Sequence, residues 1–141
     1  MPDEPNWQSG GCLCGAVRYS IDRNALAGQA HCHCRDCQRA TGSAFATFCF
    51  LPEASFRAES GEAKGHSVKG SSGNDVTRFF CPDCGSQLYS EVGGMPGFRF
   101  VKSGSLDDAS WMSPQSAFWC DTAQPWVSLP DNVASVPRNP G

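Results

Sequence analysis

The stretch from Ala30 to Ser43, A-H-C-H-C-R-D-C-Q-R-A-T-G-S, constrains this chain more than any other. It places Cys32, Cys34 and Cys37 close together, with His31, His33, Arg35 and Arg39 around them. Cys32 and Cys34 are two apart, so an extended backbone points both sulfurs to the same side. Cys37 follows at C-x-x-C spacing, which requires the chain to fold back by one turn. Three thiolates then converge without help from distant residues. Zinc normally takes four ligands, and three protein donors with one open position is the pattern of a reactive centre. The stretch therefore reads as a metal site with an open position.

Two further motifs repeat the theme. Gly11-Cys12-Leu13-Cys14-Gly15 puts a C-x-C pair at the start of a strand pattern in which Val17, Tyr19 and Ile21 share a face. Cys81-Pro82-Asp83-Cys84-Gly85 is a zinc-knuckle sequence, where Pro82 fixes a backbone angle and Gly85 permits positive φ. Each supplies two ligands. Together they make a closed four-cysteine site, leaving Cys32, Cys34 and Cys37 as a three-ligand site. A mixed arrangement, with Cys12 or Cys14 completing the triad, fits the ligand counts but strands one knuckle. Cys49 and Cys120 stand outside the clusters, and core packing is the expectation for both, more firmly for Cys49. His31 and His33 point away from Cys32 and Cys34 in an extended segment, which favours hydrogen bonding behind the ligands over ligation. His66, in a polar stretch, is expected to be exposed.

The cysteine count depends on compartment. The first residues, Met1 to Asn6, lack the basic start and apolar run of a secretion signal, and no apolar stretch reaches membrane length. A soluble cytoplasmic protein is the expectation, and there the clustered cysteines, seven of nine, read as metal ligands rather than disulfides. The net charge of −3 and the lack of a basic stripe argue against nucleic acid and membrane surfaces as partners.

At 141 residues the chain is one domain, with a polar tail over residues 1–10 and a zinc-organised domain over 11–141. Fifteen Gly and ten Pro favour short elements over long helices. Helix is expected only over Asp36–Thr41, ending at Gly42. Strands are expected over 16–21, 44–51 (buried on both faces), 76–80, 87–91, 98–103 and 117–120. Residues 55–64 read as an edge strand or hairpin, 65–75 as a loose segment, and 130–141 as a Pro-rich strap laid over the core.

Three segments together resemble one known family. They are G-G-C-L-C-G-A-V-R-Y from Gly10, C-H-C-R-D-C-Q-R-A-T-G-S from Cys32, and R-F-F-C-P-D-C-G-S-Q-L from Arg78. V-K-S-G-S-L-D-D from Val101 and the late Pro125-Trp126 extend the match, which is to the glutathione-dependent formaldehyde-activating enzyme (GFA) family, including the centromere protein V group. The resemblance implies a mainly β single domain of several coiled antiparallel sheets (β-tent-like), organised by zinc sites. It implies a structural zinc at Cys12, Cys14, Cys81 and Cys84, and a second zinc at Cys32, Cys34 and Cys37. The implied activity is of the carbon–sulfur lyase type: glutathione, as co-substrate, condensed with formaldehyde to an S-hydroxymethyl adduct. The chain departs from the family's common pattern at Ala117, where a His often precedes the Pro-Trp segment.

Two readings of the chemistry remain open at this level. An enzyme could bind the thiol as thiolate at the triad metal, or polarise the carbonyl there. A non-catalytic module could use the same scaffold to hold glutathione or a protein partner, its fourth ligand coming from Cys49, a His or a bound thiol. Arg35, Arg39, Lys69 and Arg78 are candidates for the glutathione carboxylates. A homo-oligomer is compatible with the sequence. A thiol–disulfide role for Cys81 and Cys84 fits poorly, because no βαβ pattern surrounds them.

Overall fold

Alternation decides the first sheet. Tyr19 and Ile21 face inward and are almost wholly buried, with Val17 just before them, and the strand they define is β2 (Arg18–Asp22). It pairs antiparallel with β1 (Trp7–Gly11) on one side and β5 (Phe56–Ser60) on the other. The computed structural model describes residues 4–138. Within them the expected tail shortens, because Trp7–Gly11 is paired along its whole length with β2. The remainder of the expected tail, residues 1–3, and the last three residues of the expected strap lie outside the described residues.

The second sheet has eight strands. They are β3 (Gly28–Cys32), β4 (Ala46–Pro52), β6 (Lys64–Lys69), β7 (Asp75–Phe80), β8 (Gln87–Val92), β9 (Phe98–Lys102), β10 (Ser116–Phe118) and β11 (Ala134–Ser135). Their order is β11-β10-β3-β4-β9-β8-β7-β6. The fold is thus mainly β, as expected, with one α-helix among the described residues, α1 (Arg35–Thr41), whose C-cap Gly42 adopts φ 65°. Two details differ from the sequence reading. Pairing is parallel at β10–β3 and β10–β11, because the chain returns over a long connection rather than a hairpin. The segment expected to be loose, 65–75, instead supplies β6 and the turn of a hairpin with β7. Its nearly all-exposed side chains hid the strand, since no buried face imposes alternation there.

The two sheets pack face to face. Cys49 and Leu51 of β4, Val101 of β9 and Leu88 of β8 meet Tyr19, Ile21 and Phe56 in one core. Tyr19 stacks on Phe56, ring centroids 5.1 Å apart, and Phe56 packs at a tilt against Tyr89 at 4.8 Å. Arg18 and Asp107 form an ion pair with Nη2–Oδ2 2.5 Å, holding β2 to the loop after β9.

The other face of the large sheet carries the site, and strand register states what lies on it. One row across the sheet runs Gly28–Phe50–Phe100–Ser90–Arg78–His66. The neighbouring positions are Ala30–Phe48–Lys102 and Cys32–Ala46. A Cβ on Gly28 would stand 2.6 Å from the Phe50 ring, so that position must be bare for the ring to lie flat.

Candidate metal centres and the cleft beside them

Each cysteine motif reaches its geometry locally. Cys12 and Cys14 sit in the turn joining β1 and β2, not in extended strand as the two-residue spacing suggested. Gly15 (φ 81°) closes that turn, and the Val17 N–H donates to Cys12 Sγ at 3.2 Å. Cys81 and Cys84 sit in the turn between β7 and β8, where Gly85 (φ 79°) donates its N–H to Cys81 O at 2.8 Å. Ser86 links the two knuckles: its Oγ accepts from the Leu13 N–H at 2.9 Å and lies 3.2 Å from Cys84 Sγ.

These four sulfurs converge, with Cys12–Cys14 at 3.7 Å and Cys14–Cys81 at 3.8 Å. Tetrahedral zinc with Zn–S near 2.3 Å requires sulfur–sulfur separations of about 3.8 Å, so the residues fit the ion. Hydrogen bonding favours the thiolate form at two of these sulfurs, whereas Cys14, despite the Ala16 backbone donor, is pushed up to about 12 by sharing with Cys12 and Cys84. Ser86 holds the Cys84 thiol down to about 5, and the Val17 N–H lowers Cys12. The four-plus-three division is the one the geometry adopts, and the mixed arrangement is not formed.

The triad is assembled at the junction of β3 and α1. Cys32 ends β3, Cys34 caps α1 by accepting the Cys37 N–H at 3.2 Å, and Cys37 lies in the first turn. All three sulfurs lie within 4.8 Å of one another, and among the described residues no fourth His, Cys, Asp or Glu joins them. The triad cannot hold three thiolates unaided. Hydrogen bonds from Cys32 and Cys34 draw Cys37 far down, while that same sharing pushes Cys32 far up. A divalent cation removes this conflict, and its donor preference for sulfur fits zinc.

Among the described residues no histidine nitrogen joins either cysteine group. His31 is bonded through Nδ1 to Thr47 Oγ1 at 2.7 Å. His33 is buried against Phe45, its Nδ1 without a partner among the described residues. His66 is exposed on β6, as expected. Cys49 is fully buried, its thiol pushed up to about 12 by burial, and it stays in the core. Cys120 is half-buried and donates to Ala117 O at 3.4 Å.

Gln38, almost buried in α1, fixes the triad in place. Its Nε2 donates to His33 O at 2.7 Å and Thr122 O at 3.0 Å, while its Oε1 accepts from Gln124 and Arg35. Two open clefts flank α1. One of about 520 Å3 includes Arg35, Arg39 and the exposed Trp126. The other, about 320 Å3, includes Arg39, His66, Arg78 and Gln87. Arg78 reaches Cys37, Nη2–Sγ 3.9 Å, and Gln87 Oε1 is buried without a partner among the described residues.

Of the candidate cations, then, Arg39 and Arg78 line one cleft, Arg78 alone reaching the triad, and Arg35 lines the other. Lys69 does not join them; it ends β6, ion-paired with Asp75 at 2.9 Å. One cation escaped the sequence reading. Lys102 stands on the site face opposite Phe48 and donates to Ser90 Oγ at 2.9 Å. Burial lowers its pKa to about 8, against the pull of the Cys37 charge. Only the V-K-S-G-S-L-D-D match marked it beforehand. Ala117 is fully buried in β10 opposite His31, on the sheet face away from Cys32. The departure from the family pattern there does not alter the triad face.

The profile of glutathione-dependent formaldehyde-activating enzymes matches residues 7–122, from β1 to the turn after β10. The chain belongs to the GFA family. All seven clustered cysteines of this GFA protein lie inside the match. No curated protein matches the chain. Among solved structures it is similar to a Rhodobacter sphaeroides protein from structural genomics, with 23% identity and a TM-score of 0.57. That likeness covers 75% of this chain and 91% of the other, and it supports the fold. Among the described residues no helix is long and apolar enough to cross a membrane.

Proposed function

We propose that the protein is a zinc-dependent enzyme of the carbon–sulfur lyase type. It joins glutathione, or a similar thiol, to formaldehyde or another small carbonyl, giving an S-hydroxymethyl-type adduct. The observation that carries the reading is a three-cysteine centre whose Cys37 is touched by Arg78, which also lines a cleft with Arg39, Asp36 and Gln87. Zinc at Cys32, Cys34 and Cys37 supplies a Lewis-acid position able to take a thiol or a carbonyl oxygen.

The chain's own groups do the rest. Arg39 and Arg78 match the two carboxylates of the tripeptide, since guanidinium forks suit planar anions. Gln38 holds the triad turn rigid, so the thiol arrives at a fixed distance from the second substrate. The structural site at Cys12, Cys14, Cys81 and Cys84 keeps the sheets together and takes no part in the reaction.

The test is the rate of formaldehyde–glutathione exchange followed by exchange NMR. Wild-type protein is expected to accelerate it and Cys34→Ser is expected not to. If both proteins leave the rate at the uncatalysed value, the protein does not turn over this pair and a thiol-binding module replaces the enzyme.

A further inference from the structure

Resting on that reading, we infer that Lys102, paired with Arg78, makes the triad centre select an ionised thiol, rather than a neutral carbonyl, as its incoming ligand. The sequence left that choice open.

The argument is one of charge and placement. Three thiolates around a divalent ion leave one net negative charge. A second anion entering such a centre in a partly enclosed site meets repulsion, so a neutral carbonyl would be the better guest. Two cations reverse this. Arg78, on β7, lies 3.9 Å from Cys37 Sγ. Lys102, on β9, is in register with Phe48 of β4 and is anchored by Ser90 of β8, which is in turn paired with Arg78. The two positive charges thus flank one serine on the same sheet face, beneath the helix that carries Cys37. With both counted, the centre carries one net positive charge before any ligand enters. An incoming thiolate neutralises it, whereas a carbonyl leaves it uncompensated in a half-buried site.

The surroundings of Lys102 give it nothing else to do. No carboxylate among the described residues pairs with it, and its salt-bridge positions are empty while four other cations of the chain are ion-paired. Its neighbours on the sheet face are the rings of Phe48 and Phe100, which keep water away and strengthen its field toward the triad. The charges facing it are Cys37, Cys32 and Cys34, which favour its ammonium form, and Arg78, which opposes it. Binding is balanced by release of the thiol proton to solvent; no bond to the protein is made or broken by Lys102.

The experiment uses cobalt(II)-loaded protein, whose visible absorption reports the ligands of the triad without turnover. Glutathione and 2-mercaptoethanol are titrated into wild type, Lys102→Met and Lys102→Arg, and proton release is measured by calorimetry in two buffers. Wild type is expected to bind both thiols with release of a proton. Lys102→Met should weaken both by about thirtyfold or more, the loss for removing one partner of a desolvated charge pair. Lys102→Arg should restore most of it. If Lys102→Met binds both thiols as tightly as wild type, the inference is overturned. It is also overturned if only glutathione is weakened, because Lys102 would then hold a carboxylate, which 2-mercaptoethanol lacks. Failure of wild type to bind any thiol would instead sink the proposed function itself.

Discussion

Gln38 is the side chain on which the triad's precision rests. It is 6% exposed and spends both ends of its amide on four partners, tying α1 to the end of β3 and to residues 122 and 124 of the C-terminal segment. Replacing it by leucine keeps the volume but leaves the carbonyl oxygens of His33 and Thr122 short of a donor. His33 O retains the hydroxyl of Thr122 at 3.0 Å, so the loss is partial there. Gln38→Leu should therefore cost about 1–3 kcal/mol in urea denaturation. A loss below about 0.5 kcal/mol, the range of ordinary surface changes, would show that water replaces the amide without penalty. Lys102 and Gln38 share a lesson: the partners of each come from distant parts of the chain, so neither is legible as unusual until the fold is known.

At the scale of the element, the knuckle turns matter more than the strands they join. Each bends so that backbone or hydroxyl donors face sulfur, and Ser86 serves both turns at once. The consequence is a pH dependence whose sign is fixed. The Cys84 thiol is held down to about 5 by Ser86, below the ordinary thiol value of an unfolded chain. A depressed folded value means that its contribution to stability is fully present above the unfolded thiol pKa. It declines as pH falls and is lost through about pH 5. Zinc release followed with a chelating dye during acid titration should accordingly shift to higher pH in Ser86→Ala. An unchanged midpoint would remove Ser86 from the account. The helix α1 was readable from Asp36–Thr41 and Gly42 because capping is a local property. The β6–β7 hairpin was not, because an exposed edge strand has no face whose burial writes a period into the sequence.

For the whole molecule, the two cysteine sites have unequal structural weight. Cys12 and Cys14 belong to the turn of the three-stranded sheet, and Cys81 and Cys84 to the eight-stranded one, so that site fastens one layer to the other. The triad joins only β3 to the adjacent helix. Cys84→Ser should lose cooperative unfolding and most of its stability, since a structural zinc contributes directly to folding. Cys34→Ser should melt cooperatively with about one zinc fewer per chain by metal analysis. Equal collapse of both variants would contradict the division of labour.

The sequence by itself determined the elements whose causes are local. Cysteine spacing marked the triad and two separate two-ligand motifs, Gly42 and Gly85 marked positive-φ positions, and the Val17–Tyr19–Ile21 alternation marked a core strand. Only the tertiary structure decided which knuckle meets which, and which cations reach the triad. Lys69 was near in sequence pattern but ends in a hairpin ion pair, whereas Lys102, far from every cysteine motif, arrives opposite Phe48 through β4–β9 pairing. The physical reason is that strand register is a long-range property. It is set by the burial of whole faces, and no local pattern around a charged residue records which side of the sheet it will occupy.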